Sequence, residues 1–561
     1  MKKNLLLILA SLLTLTLFAQ TNDDSFEKFR QQQSAQFNQF RNDQQAQFDA
    51  FRKKINTEYA DFMRKAWAQF SAQEPVQPVV EPKVEPVVFE EPAVQPAPVV
   101  QPKPEPKPEP KAEPKVEPKP EPKAEPKPQQ DLAKAPAPEP VITKEDIDNR
   151  PIPRQSVEPA PVPTPTPVVI PIKETVIVLP EPTPAPEPIA PVQPKPEEFK
   201  RVTIAYFGTL ITVGFPMQDN LRLASLSEDA IADAWTQLAD SRYDITVKTA
   251  LDARKANALG DWAYMNMLQK VCEKQYGVSN TATLAQAFLM VQSGYRIRLG
   301  HDGKKLQMLV ASQYDIYSLR YYQLDGTKFY VVSGDKGSKM HICEAKYDKE
   351  RSLSLQMAQL PKLSSDPTAK RTLSSRKGVT AAVSVNKNLI DFFNTYPQAC
   401  YKGNHTTRWA AYANTPLEKS VKDMLYPSLK KTIAGMTERQ AVEILLNWVQ
   451  TAFEYKYDDE VWGDDRAFFA QETLHYPYCD CEDRSILFSR LVRDLLGLDV
   501  VLLYYPGHLA TAVAFSKDEN GDYLTYKSRK YIVCDPTYIN AGVGRTMPGM
   551  NNKEAQVIAL K

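Results

Sequence analysis

The chain has 561 residues, 69 Lys and Arg against 68 Asp and Glu, and a net charge of +1. Its basic residues are dispersed and form no nucleic-acid motif, so nucleic acid is excluded as a partner. Six cysteines contain no CxxC pair, which argues against a zinc framework; no metal and no cofactor are expected. In chain order, the first element is MKKNLLLILASLLTLTLFAQ. Two lysines, an apolar run of roughly 15 residues and Ala19 predict a secretory signal over residues 1–19. The run is short for a membrane span, which needs about 20 residues. The chain is therefore expected to be exported, periplasmic or secreted. The alternative is an uncleaved signal that anchors it in the inner membrane.

Residues 20–72 carry an aromatic repeat. Phe26, Phe37, Phe48, Tyr59 and Phe70 are spaced by 11, and Phe29, Phe40, Phe51 and Phe62 follow the same period. Eleven residues are close to three helical turns, so the rings form a stripe along one helix of about 45 residues, roughly 70 Å long. Such a stripe needs cover. Self-association through residues 24–71, as a straight or slightly right-handed coil, is the first expectation, and contact with a lipid surface is the second.

Residues 73–198 hold most of the 47 prolines, in runs such as PKPEPKPEPKAEPK. Proline this dense removes backbone donors and biases the chain to polyproline II, which predicts a disordered linker and a stand-off tether between the helix and the C-terminal end. Residues 199–435 read as a mixed α and β subdomain. Strands open it, helices follow over 227–295 with Trp235, Trp262 and Phe288 in the core, and a strand meander comes after. His301, His341 and His405 are isolated and read as structural.

The region 436–561 carries the chemistry. Asp480 reads as a helix N-cap, with Asp483 completing an acidic capping box. Leu487, Phe488, Leu491, Val492, Leu495 and Leu496 make one helical face, and Gly497 ends it. Cys481 then sits in the first turn, where the helix dipole lowers a thiol pKa. Glu482 and Asp483 oppose that effect, so an imidazolium would have to supply much of the activation. Strands are predicted at 499–506, 509–515 and 530–535, with Asn520-Gly521 as a hairpin signal leading into DYLTYK. His508 lies between the first two strands, and Asp535 ends the third. A thiol, an imidazole and a carboxylate suit a nucleophile, its base and the group that orients the base.

Cys481-Glu482-Asp483, His508 and Asp535-Pro536, with AVEILLNWVQTAFEYKYDD upstream and QETL before the nucleophile, resemble the transglutaminase-like superfamily of papain-like cysteine enzymes. The resemblance covers roughly residues 436–545. It implies an α+β fold in which a helix bearing Cys packs on antiparallel sheet, and a catalytic triad of Cys481, His508 and Asp535. It also implies an amide or peptide substrate, expected to be a protein or peptide of the cell envelope. Cysteine peptidase, amidase and acyl-transferase activities all fit, and a catalytically inactive binding or scaffold domain is the alternative. Many members have Gly two residues before the nucleophile, where this chain has Cys479. The Cys481 N–H is the default oxyanion donor, and Gln471 and Trp462 are candidates for a second. His475 is a rival base that reads as a loop residue. Cys479 and Cys534 could form a disulfide beside the site, although two reduced core cysteines are the preferred reading.

Overall fold

The computed structural model describes residues 23–67, 72–80, 167–171, 177–189, 198–239, 241–332 and 339–561. The signal segment and residues 81–166 lie outside the described residues. Among those described, no helix is long and apolar enough to cross a membrane.

The chain is a mixed α and β protein. Helix α1 (Asp23–Trp67) comes first. Strand β1 (Ile177–Val178) follows, then the hairpin β2 (Phe199–Tyr206) and β3 (Thr209–Pro216). Helices α2 (Glu228–Leu238), α3 (Asp244–Ala256), α4 (Asp261–Tyr276) and α5 (Asn280–Gln292) form a helical layer. Beside it lies a meander of β4 (Ile297–His301), β5 (Leu306–Ala311), β6 (Tyr314–Ile316), β7 (Tyr321–Leu324), β8 (Thr327–Val331) and β9 (His341–Cys343). Five of these strands form an antiparallel sheet in the order β7-β8-β5-β4-β9. Trp235, Trp262 and Phe288 are buried, as their sequence context predicts. His301 and His341 stack across β4 and β9, and His405 packs its ring against Trp409 and Tyr504.

A connecting set follows: β10 (Arg371–Ser374), β11 (Thr380–Val383), α6 (Lys387–Asn394), β12 (Ala399–Tyr401), α7 (Thr407–Asn414) and α8 (Lys419–Ile433). The C-terminal region contains α9 (Glu438–Ala452), β13 (Glu454–Tyr455), α10 (Asp458–Val461), α11 (Ala470–His475), β14 (Tyr478–Cys479) and α12 (Cys481–Leu496). Its strands are β15 (Asp499–Tyr505), β16 (His508–Ala514), β17 (Tyr523–Tyr526), β18 (Arg529–Cys534) and β19 (Gln556–Ala559), in a sheet ordered β1-β19-β15-β16-β18-β17. All neighbours in it run antiparallel except β1 and β19.

Helix α12 lays Leu487, Phe488, Leu491 and Val492 into the core against β15, β16 and α9. Strand β16 is buried on both faces: Leu509 and Val513 meet the helical side, while Ala510, Ala512 and Ala514 join a second cluster with Val501, Leu503, Leu524 and Val533. That double burial explains why its sequence shows only a loose alternation.

Three expectations change in the tertiary structure. First, α1 does not stand off. Its last third docks on α2 and β9 through Asn56, Tyr59, Ala60 and Met63, all buried. Tyr59 stacks on Tyr347 at 4.1 Å and meets Trp235 at 5.1 Å. Asn56 accepts hydrogen bonds from Gln292 (2.8 Å) and Tyr347 (2.7 Å), and Arg52 pairs with the buried Asp244.

Second, the flanks of the proline-rich segment are bound to the same body. Gln73 exchanges backbone hydrogen bonds with Met340 at 2.8 and 3.0 Å, and Val76 donates to Tyr321. On the return, Ile170 donates to the Tyr523 carbonyl of the edge strand β17, and its side chain is buried. Strand β1 adds to β19 at the opposite edge. The two β-branched runs, Val168-Val169-Ile170 and Ile177-Val178, thus bring pairing to both edges of the C-terminal sheet, where unpaired strand groups are a liability. Residues 72–80 and 167–171 thus lie on the same body as α1 and the C-terminal region, so a tether joining two separate bodies is not what these two elements require.

Third, Asn520-Gly521 is not a two-residue hairpin. Gly521 has φ of 137°, and a Cβ there would come within 2.3 Å of the Gly544 Cα, so the glycine permits a close backbone approach. The hairpin turn lies at Lys527-Ser528, both at positive φ (48° and 60°), between β17 and β18.

Candidate functional site

Asp480 caps α12 by accepting from the N–H groups of Glu482 (3.0 Å) and Asp483 (3.3 Å), and Asp483 reaches back to the Asp480 N–H. The predicted acidic capping box is therefore formed, and it places Cys481 at the first helical position. His508 opens β16 after a tight turn at Pro506-Gly507, with Gly507 at φ 81°. Asp535 follows the last residue of β18.

Pairing between β16 and β18 runs from Val513 opposite Ile532 to Thr511 opposite Cys534. Continued by one pair, that register sets Asp535 opposite Ala510, on the same face as His508. The result is a buried hydrogen bond between His508 Nε2 and Asp535 Oδ2 at 2.8 Å, both residues 2 % exposed. The other carboxylate oxygen accepts from the N–H groups of Thr537 (2.9 Å) and Tyr538 (3.2 Å), which fixes its orientation. Gln450, buried in α9, donates to the carbonyls of Asp535, Tyr538 and Ala541 and so holds the loop that carries the carboxylate.

Leu509 links this pair to the helix. Its carbonyl accepts from Ser485 Oγ at 2.8 Å, and its N–H acts on the Cys481 thiol. Cys481 and Ser485 are four residues apart and share a helical face. The first turn of α12 thus meets β16 at Leu509, the residue after His508, just beyond the point where pairing with β18 stops. Cys481 itself is 8 % exposed.

The electrostatics differ from the expectation of a lowered thiol pKa. Burial first, then the Asp480 and Glu482 carboxylates, push the Cys481 thiol well above its usual range; the Leu509 N–H acts in the opposite sense. These outweigh the helix dipole, because the first turn is enclosed by acids. Asp458, Asp465 and Glu482 bring carboxylate oxygens within 4.8 Å of one another, and Asp480, Cys481 and Glu482 form a second such group. Burial and mutual repulsion push Asp480, Glu482 and Asp483 up, and Asp458 up to about 8. Arg408, 4 % exposed, answers part of this charge, reaching Asp465 at 2.9 Å and Glu482 at 3.3 Å. The oxygen donors would suit a hard cation, although a guanidinium already supplies positive charge there.

The remaining sequence candidates are placed elsewhere. Gln471 is turned toward α8, accepting from the Glu418 N–H at 3.1 Å and donating to its carboxylate, so it is not available as an oxyanion donor. Trp462 packs on Phe468, Tyr476 and the Arg466 guanidinium. His475 is the last residue of α11 rather than a loop residue; its carbonyl accepts from Arg371, and its ring lies against Tyr476. Cys479 and Cys534 are not bridged: all six cysteines are free and buried. Cys479 receives a hydrogen bond from Arg484 Nε at 3.4 Å, and Cys534 lies on β18, its thiol directed to the Ile532 carbonyl.

Sequence reasoning missed Gln450, Ser485, Arg408 and Asp458. Each acts through a partner distant in the chain, and none carries a local motif. No protein-family profile matches the chain, and no curated protein matches it.

Proposed function

We propose that the C-terminal region is a transglutaminase-like, papain-type cysteine enzyme acting on an amide or peptide bond of an exported substrate. The observation that carries this reading is the buried 2.8 Å hydrogen bond between His508 and Asp535, beside a helix start that carries Cys481. Because Asp535 occupies Nε2, the ring nitrogen assigned to the thiol is Nδ1. The Cys481 sulfur attacks the carbonyl carbon while its proton passes to Nδ1; Asp535 accepts from Nε2–H and stabilises the imidazolium. The Cys481 N–H receives the developing oxyanion. The imidazolium then protonates the leaving amine, the C–N bond breaks, and a thioester remains. Water releases an acid, or a second amine forms a new amide, with His508 again taking the proton.

The raised thiol pKa favours a resting state of neutral thiol, in which the base works during attack rather than before it. The same burial and the same raised pKa favour the second reading, an inactive binding domain of the cell envelope. One experiment separates them. The mature protein is incubated with an activated acyl ester, and the adduct is mapped by mass spectrometry. Acylation confined to Cys481, lost in Cys481→Ala and in His508→Ala, supports the enzyme. Acylation indifferent to His508, or absent from Cys481 while the protein is folded, supports the binding domain.

A further inference from the structure

The geometry of α1 points to a second copy of this chain as the partner of its exposed aromatic column. The repeat F-x-x-F-R recurs at Phe26, Phe37 and Phe48 and degenerates to Tyr59-Ala-Asp-Phe62-Met63. In the last repeat the two aromatic positions separate. Tyr59 is buried on the body with Met63, whereas Phe62 is 49 % exposed. The column to which Phe62 belongs stays open along the helix, with Phe51 at 53 % and Phe40 at 54 %. One repeat before Phe48 in the Tyr59 column, Phe37 is 64 % exposed. The docking face therefore continues beyond the body in the same residue types, repeated every 11 residues, or about 16 Å.

Three observations select a copy of the same helix as the occupant. The docked repeat packs against a helix, α2, so a helix–helix interface is already established at one end of the aromatic repeat, and Phe37 and Phe40 lie exposed further along the same helix. A period of 11, or about 3.67 residues per turn, keeps a stripe aligned with a partner helix over several repeats in a straight or right-handed coil. The helix holds eight Lys and Arg against seven Asp and Glu, and its segment 31–47 is mostly Gln and Asn, so it lacks the basic excess of a membrane-surface helix. A free helical stretch of this length is marginal in water and gains its stability from packing.

The mature chain, from residue 20 onward, is compared with the Phe37→Ser/Phe40→Ser double variant by sedimentation velocity over a concentration series, with and without phosphatidylglycerol vesicles. Both substitutions lie upstream of the docked repeat, and an unchanged melting midpoint of the body checks this. The expected result is a concentration-dependent oligomer for the natural chain and a dissociation constant raised by about a hundredfold or more in the variant. A natural chain that stays monomeric at high micromolar concentration overturns the inference, as does equal association of the variant. A monomer that partitions onto the vesicles through Phe37 and Phe40 also overturns it, in favour of lipid.

Discussion

Asp535→Asn is nearly isosteric, yet the proposed chemistry cannot survive it. One carboxylate oxygen accepts from the N–H groups of Thr537 and Tyr538, and the other from His508 Nε2. An asparagine must keep its carbonyl oxygen toward the two backbone donors, because its NH2 cannot accept from them. The NH2 then faces Nε2, which must become the acceptor. The ring proton moves to Nδ1, and the nitrogen assigned to take the thiol proton already carries one. A wrong tautomer of this kind in a Ser-His-Asp triad costs about 10⁴-fold, or about 5.5 kcal/mol of transition-state stabilisation at about 1.36 kcal/mol per tenfold, and a loss of that order is expected here. The assay is the rate of acyl-adduct formation at Cys481 by intact mass, with His508→Ala as the floor. A melting midpoint close to that of the natural chain separates lost chemistry from lost fold. The pH profile adds a check of sign: a thiol held well above its ordinary pKa gives a labelling rate that climbs across pH 6–9, while a preformed thiolate–imidazolium pair gives a flat one. A variant that acylates Cys481 within about tenfold of the natural rate would refute the assigned tautomer and the roles built on it.

Asp458, raised to about 8 by burial and then by Glu482, binds a proton more tightly in the folded protein than in the unfolded chain, whose carboxylates titrate near 4. Its contribution to stability is full below about pH 4 and is lost as pH rises through about 8, so Asp458→Asn should raise the melting midpoint at pH 8.5 and leave it near that of the natural chain at pH 4. An equal offset at both pH values would argue against that titration. Arg408→Met removes a buried counter-charge from Asp465 and Glu482 and should destabilise by about 3–5 kcal/mol, read by chemical denaturation; a loss under about 1 kcal/mol would mean the acids are neutral without it. Thiol titration of the unreduced, denatured protein should return six thiols, and four would indicate a bridge absent from the described arrangement.

Local signals were strong where one segment decides its own conformation. The Asp480 cap, the apolar face from Leu487 and the stop at Gly497 delimit α12 because capping and periodicity act within a few turns. The 11-residue repeat specifies a 45-residue helix for the same reason. Cys481, His508 and Asp535 could be singled out by type and order, but the meeting of His508 with Asp535 depends on the register of β16 with β18, and the contact of the α12 start with β16 on Ser485 and Leu509. Composition misled at the flanks of the proline-rich segment, where two short β-branched runs find partners at the sheet edges that no window of sequence contains. The acidity of the site was also hidden. Glu482 and Asp483 are adjacent in sequence, but Asp458 and Asp465 approach only when α10 and its following loop fold over the start of α12. A pKa is set by burial and by charges in space, so the expected low thiol pKa gave way to a high one once tertiary packing enclosed the helix N-terminus among carboxylates.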